Sequence, residues 1–345
     1  MPTEADFPAN GSDLEKLRFL VNYAVLAPSS HNSQPWLFIT HDNRISLHAD
    51  RTRGLPVADP HDRELVISCG SALFNLRVAA AHFGVPLSIE RNPDDHEDRL
   101  VNIAIDPKAG SHDTLAALFE AIPRRVTNRF PYQPGSVSAA DLHAFAELCA
   151  SHAVSLRGYS DDASRHAIAE RVAEADKQQL ASDAFRRELA GWLHHNRTGS
   201  LDGMPGYALG FGDLMSLVAP LVVRTFDIGE GVAARDRDLA EHSPALCVLS
   251  TSADHHDDWI RTGEALQHLL LEATRRGFAA SFLNQPVEVD RLRLDLAQHV
   301  GARFPQVLLR LGKPTREAKA TARRPADAVT IDAGLHENYR AFQGF

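Results

Sequence analysis

The stretch "LAPSSHNSQPWLF" (26–38) crowds Ser29, Ser30, His31, Asn32, Ser33 and Gln34 into one bend, with Pro28 before it and Pro35–Trp36 after it. Short hydrogen-bonding side chains of this kind compete with helix and strand backbones and belong in turns. A second concentration is "AIPRRVTNRFPY" (121–132), which sets Arg124, Arg125 and Arg129 around Thr127. Guanidinium forks match phosphate geometry. The spacing predicts Arg125 and Arg129 on one helix face, with Thr127 near the helix start, where free N–H groups would serve the same anion. A solvated basic linker making surface salt bridges fits the same residues.

No other constellation competes. Of the 18 histidines, the densest groups are His194–His195 and "DHHDD" (254–258). Adjacent histidines on a helix point apart, and no third ligand has matching spacing, so no metal site is expected. A GxSxG elbow, a Walker loop and a GxGxxG after a strand are all missing from the sequence, and "GYALGFGD" (206–213) has the wrong context.

The elements that must position these stretches are readable. Leu14–Ala27 carries apolar residues at helical spacing, with Ser12 or Asp13 as cap, and Pro28 ends it. Trp36–Thr40 and Ile45–Ala49 read as strands, with Trp36 in the core. Glu64–Phe83 is a long apolar helix stopped by Gly84, and Leu87–Arg91 and Leu100–Ile105 are strands. "GSALFNLRVAAAHFG" (70–84) then matches "GEALQHLLLEATRRG" (263–277) at a constant offset of 193, with six identical pairs from Gly70/Gly263 to Gly84/Gly277. Shared Gly/Ala/Leu composition could produce such a match; the fixed register favours an internal duplication. "SAADLHAFAELCA" (138–150) echoes the opening helix, with Ser138 and Asp141 as a capping box. Residues 160–240 interrupt the second copy, starting as a charged helix (Ser164–Leu180) and passing through a Gly- and aromatic-rich stretch (192–213). Long excursions of this kind often act as lids. From Lys313 the chain is charged and is expected to run extended over the surface.

The 345 residues suit two halves or domains. A net charge of −9 argues against a nucleic-acid-binding body. Cys69, Cys149 and Cys247 lie far apart and read as reduced buried residues of a cytoplasmic protein. The polar N-terminus does not look like a signal peptide. No apolar run reaches the roughly 20 residues of a membrane span; "LMSLVAPLVV" (214–223) is too short and contains Pro220.

Together the two motifs resemble the nitroreductase superfamily of flavin enzymes, whose PSSxNxQPWxF stretch is similar to residues 28–38 and whose RxSxR motif is similar to "RRVTNRF". More narrowly, the chain resembles the tandem Acg-type proteins, with "DPHDRELVISCGSALFNLRVAA" (59–80) and "FLNQPVE" (282–288) strengthening the match over roughly 14–326. The resemblance implies an α+β, nitroreductase-like fold in which two tandem homologous halves, 1–120 and 121–345, form an intramolecular pseudo-dimer, with a lid-like insertion at about 160–240. It implies FMN at the interface. Ser29, Ser30, Asn32 and Gln34 would face the ribityl chain and ring edge, with His31 a possible contact. Arg125, Thr127 and Arg129 would face the phosphate, and Ser281, Phe282, Asn284 and Gln285 the pyrimidine edge. Arg323 or Arg324 would close on the phosphate. No side chain is assigned as nucleophile or base.

Each half retains only the complementary part of one site: the first lacks an RxSxR motif, and the second has "LCASHAVSLRGYSD" where the polar bend should recur. One FMN per chain is therefore expected. Two functions follow from the resemblance. One is an NAD(P)H-dependent flavin reductase acting on a nitroaromatic or quinone. The other is a flavin-holding or regulatory protein whose site is covered by the insertion. The partners implied are NAD(P)H and a small electron acceptor, without nucleic acid or membrane, in a pseudo-dimeric monomer or a homodimer.

Overall fold

Residues 2–92, 98–110 and 113–334 are described in a computed structural model of the chain. The first helix, α1 (Asp13–Ala24), opens on Ser12, whose hydroxyl accepts the Glu15 N–H while the Glu15 carboxylate accepts the Ser12 N–H. It stops at Ala24, three residues short of the expected Ala27, and residues 25–27 turn into Pro28. β1 (Trp36–Thr40) and β2 (Arg44–Ala49) follow as a hairpin, then α2 (Arg63–His82), β3 (Leu87–Arg91) and β4 (Arg99–Ile105). Trp36 is fully buried. α2 has the length and mean hydropathy (1.3) of a membrane span, but 83% of that window is buried inside the molecule.

α3 (Ala139–Ala150) opens on the capping box read at Ser138 and Asp141. After β5 (Ser155–Tyr159) the insertion forms four helices, α4 (Asp162–Ala181), α5 (Asp183–Gly191), α6 (Asp213–Thr225) and α7 (Gly229–Glu241). α6 carries Pro220 inside it and leaves Leu214, Leu217 and Leu221 exposed. The chain continues through β6 (Ala245–Thr251), α8 (His256–Arg275), β7 (Ala279–Phe282), α9 (Asp290–Val300) and β8 (Phe304–Gly312).

Two sheets result. One has the order β9–β1–β2–β4–β3 and the other β5–β6–β8–β7, where β9 is Thr330–Asp332. β9 departs from the expected surface tail. It pairs in parallel with β1, Phe38 opposite Thr330, and the preceding Val329 is fully buried. The reason is apolar content hidden among charges: Val329 and Ile331 give a basic, extended segment something to bury.

The helices matched by the 193-residue offset, α2 and α8, pack against each other between the sheets. A methyl group on Gly70 would lie 2.3 Å from the Ile260 carbonyl oxygen, and one on Gly263 would lie 2.1 Å from the Ile67 carbonyl oxygen. A buried polar seam flanks the crossing: Ser71 Oγ donates to the Gly263 carbonyl at 3.0 Å, and Gln267 Nε2 donates to Asn75 Oδ1 at 2.6 Å. Both helices end on glycine in the left-handed region, Gly84 at φ +66° and Gly277 at φ +78°.

The crossing tolerates no side chain, so Gly70→Ala and Gly263→Ala should each lower stability by about 1–3 kcal/mol or more in denaturant unfolding. Gly110→Ala, at an exposed position with open space around it, should be near neutral.

Candidate functional site

The polar bend folds as the prolines and short side chains suggest, but at a conformational cost. His31, Asn32 and Gln34 all adopt left-handed backbone, at φ +53°, +56° and +55°. Each such non-glycine residue costs on the order of 1–2 kcal/mol. Local bonds hold it, with the Gln34 N–H donating to Ser29 Oγ at 2.9 Å and the Asn32 N–H to the Ser29 carbonyl at 3.0 Å. Distant bonds pin it from two sides. Gln34 Nε2 donates to the Leu201 carbonyl at 2.8 Å, and Asn32 Nδ2 to the Gly203 carbonyl at 2.9 Å, both in the insertion. The Arg324 N–H donates to Gln34 Oε1 at 2.8 Å, and Asn32 Nδ2 also reaches the Ala322 carbonyl at 3.2 Å.

The arginine motif is not helical, contrary to the spacing argument. Thr127 makes a parallel bridge with Ala280, and the Asn128 N–H donates to the Ala280 carbonyl at 3.0 Å. Pro131 and this pairing beside β7 keep the segment extended. Arg125 and Arg129 nevertheless meet Arg323. Their guanidiniums donate to main-chain carbonyls at Leu26 (3.1 Å, from Arg125), Ala208 (3.2 Å, from Arg129) and Ala27 (3.3 Å, from Arg323). Among the described residues none of the three has a carboxylate at ion-pairing distance. Burial, with the Arg323 charge adding to it, pushes the Arg125 guanidinium down to about 9; burial pushes Arg323 down to about 10.

These groups line a narrow recess of about 60 Å³ that also takes in Ser29, Asn32, Thr127 and Lys319. It opens into a chamber of about 300 Å³, the two sharing Pro28, Ser29, Arg129, Met204 and Phe282. Ser30, His31 and the α2 residues Glu64, Ile67, Ser68 and Ser71 form one wall of the chamber. The insertion contributes much of the remainder, with Leu180, Phe185, Leu193, Phe211 and Val223 among its side chains. Ser281, Phe282, Asn284 and Gln285 line it as well. Three buried polar atoms at this junction have no partner among the described residues: His31 Nε2, Asn32 Oδ1 and Arg125 Nε. Burial, with Arg129 nearby, lowers His31 to about 4, so its ring is neutral at neutral pH.

Of the residues singled out from sequence, Gln34 and Arg324 line neither cavity. Gln34 is fully buried as the clamp just described, and Arg324 reaches toward Asp50 at 3.9 Å. The sequence reading missed Glu64, Asp176, Asp236, Glu288 and Arg310. Glu64 accepts from Ser30 Oγ at 2.5 Å and from Asn284 Nδ2 at 3.0 Å. Arg310, almost fully buried, donates from Nε to Ser281 Oγ at 2.7 Å and braces the Phe130 carbonyl at 2.9 Å. Gln285 Nε2 bridges Asp176 Oδ1 (3.1 Å) and Asp236 Oδ2 (3.0 Å), drawing α4 and α7 together. Burial raises the Asp176 carboxyl to about 7, with the Asp236 charge adding to it, and burial also raises Asp236 against the pull of Arg235, Arg310 and Arg129.

A raised carboxyl binds its proton more tightly in the native state than in the unfolded chain, so ionising it costs stability as pH climbs. Asp176→Asn removes that cost and keeps an acceptor for Gln285. The stability of the variant relative to wild type should rise between pH about 4 and about 7 and level off above, by about 1.4 kcal/mol per unit of displaced pKa. A pH-independent difference would mean that the carboxyl is solvated.

No family model matches the chain. Among curated proteins it is 33% identical over 305 residues to "Putative NAD(P)H nitroreductase Rv3131" of Mycobacterium tuberculosis, spanning 87% of this chain and 86% of that one. It is 30% identical to "Putative NAD(P)H nitroreductase acg" of the same organism over 91% of this chain and 94% of that one. It is 24% identical to "Probable NAD(P)H nitroreductase PigM" of a Serratia strain over 90% of its length. Among solved structures it is similar to the FMN-dependent nitroreductase NfnB of Mycobacterium smegmatis in complex with NADPH, at TM-score 0.37 and 19% identity, covering 65% of this chain and 97% of that one. An FMN-bound nitroreductase of Bacteroides fragilis gives TM-score 0.37 at 16% identity, over 60% of this chain and 93% of that one. On the identity it shares with Rv3131 and acg along most of their length and its own, the chain belongs to the nitroreductase superfamily, among its Acg-like members.

Proposed function

We propose that the chain is an NAD(P)H-dependent flavin oxidoreductase holding one FMN per molecule between two homologous halves, 1–120 and 121–345, with β9 crossing back into the first. The observation that carries this reading is the pair of adjoining cavities: a recess lined by the buried Arg125 and the half-buried Arg129 and Arg323, with no carboxylate in its lining, beside a largely apolar chamber. Buried cations without counter-ions are costly, and a bound dianion relieves that cost. Arg125, Arg129 and Arg323, with the Thr127 hydroxyl, would hold the phosphate. Ser29, Ser30 and Asn32 would serve the ribityl hydroxyls and ring edge, where Asn32 Oδ1 and His31 Nε2 lack partners. Phe282 and the apolar chamber wall would bury the ring, with Ser281, Asn284 and Gln285 beside it. When bound, FMN supplies the redox chemistry, taking hydride from NAD(P)H and passing it to an electron-poor acceptor such as a nitroaromatic or quinone. The protein's part is to bind, orient and keep water out.

A second flavin is not expected. The repeat register matches Ser71 of the chamber to Glu264. That residue is fully buried and carries ion pairs from Arg77 and Arg91, so charged side chains occupy the corresponding position in the other half.

The apolar wall contributed by the insertion favours a second reading, a flavin-holding protein with little turnover. One anaerobic visible spectrum separates the two. A flavin spectrum that bleaches with NADPH or NADH supports the reductase. One that bleaches only with dithionite supports the covered site, and a protein that takes up no FMN sinks both. Arg125→Ala should weaken FMN at least about tenfold in a fluorescence titration, since a charge-assisted bond contributes roughly 1.5–3 kcal/mol. The stoichiometry in wild type should be one.

A further inference from the structure

The chamber has an acidic corner that the cofactor recess does not share. Asp176 on α4 and Asp236 on α7 both line the chamber, neither lines the recess, and Gln285 bridges them. Asp176 is only 4% exposed, and its Oδ2 has no hydrogen-bond partner among the described residues. Gln285 Oε1 is likewise buried and unpartnered. Two acceptor atoms are thus left open in one corner, with the bridging amide N–H groups already committed to the carboxylates. Such atoms are costly unless something donates to them.

The rest of the corner fits the same conclusion. Glu288, also lining the chamber, accepts from Gln179 Nε2 at 2.6 Å, and burial with the Glu64 charge holds its carboxyl well above the usual range, so the corner gains a further carboxyl and no cation. The Arg235, Arg310 and Arg129 charges pull the Asp236 carboxyl down. The corner therefore presents acceptors beside an apolar wall built from Leu180, Phe185 and Leu189.

We infer that Asp176 is a specificity residue that selects, for the chamber, flat apolar acceptors bearing a basic nitrogen, with the ammonium N–H donating to Asp176 Oδ2 and the ring lying against the insertion. This rests on the oxidoreductase reading for what the acceptor does, but not for whether it binds. A cation in this corner does what a proton otherwise does, relieving two carboxyls held in a dry site.

The test is calorimetric titration of the oxidised, FMN-loaded protein without reductant, so that no turnover occurs. Two probes are compared: N,N-dimethyl-2-(4-nitrophenyl)ethylamine and its neutral isostere 1-(3-methylbutyl)-4-nitrobenzene. The amine should bind at least about tenfold more tightly, the size expected for a hydrogen bond to a charged group. Asp176→Asn should erase that preference while leaving affinity for the neutral probe and for FMN within about twofold. Asp236→Asn, a second variant should the first fail to fold, should reduce the preference. Equal binding of the two probes by wild type would overturn the inference, as would a preference that survives Asp176→Asn. A variant that loses FMN but keeps the preference would place Asp176 in the cofactor cradle instead. If wild-type protein takes up no FMN, the oxidoreductase reading fails, and the same pair titrated into flavin-free protein still tests the corner.

Discussion

The close approach of α2 and α8 sets the distance on which the candidate site depends. With Gly70 and Gly263 back to back, the two helix backbones come nearer than any side chain would allow. The Ser71 and Gln267 side chains then bridge what remains. Because α2 carries one sheet's core on its outer side and α8 the other's, this contact fixes how far apart the sheets stand. The bend after α1 belongs to the first sheet's side, and the arginine segment runs beside β7 of the second. Recess and chamber open where these two approach. A bulkier residue at the crossing would thus separate Ser29 and Asn32 from Arg125 and Arg129 without touching any of them.

The bend is a second constraint, and it explains why such distant parts of the chain converge there. Three left-handed residues among the four from His31 to Gln34 would relax on their own. They are held because Leu201 and Gly203 accept from the insertion side and the Ala322–Arg324 segment closes from the other. The C-terminal segment can do this because β9 anchors it in the first sheet. It also delivers Arg323 to the recess. One crossing segment therefore completes a sheet, clamps a strained bend and supplies a cation, and these three tasks stand or fall together.

What the sequence made legible was local. Ser12, one of two cap candidates, and the Ser138–Asp141 capping box announced their helices, and Gly84 and Gly277 marked the ends of α2 and α8. The short polar residues between Pro28 and Pro35 announced a bend, and the arginine cluster announced a basic site, because those signals reside in neighbouring residues. Gln34 misled, since a polar side chain in a ligand-facing motif can equally be the clamp that shapes it, and only its full burial shows which. The helical reading of 124–130 failed because a long-range partner, Ala280, took the backbone. Asp176 and Asp236 were invisible for a related reason. Asp176 lies in a charged helix and Asp236 in a stretch with no signal of its own, and the Gln285 bridge brings them together.

The two cavities carry opposite demands. The recess gathers cations with no carboxylate in its lining, and the acidic corner of the chamber holds acceptors left without a donor among the described residues. Were the two sets adjacent, Arg125 and Asp176 would simply pair, and neither would bind anything. Between Arg125 and Asp176 lie the apolar wall of the chamber and Arg129, which lines both cavities, engages the Ala208 carbonyl and, with Arg310, pulls the Asp236 carboxyl down. The separation leaves both ends under-satisfied at a cost in stability. An elongated occupant with an anionic end, a flat middle and a donor-bearing neighbour relieves both costs at once. That polarity argues for two ligands entering from different sides and meeting in the apolar middle, with Phe282 and Met204, which line recess and chamber alike, at the place where they join.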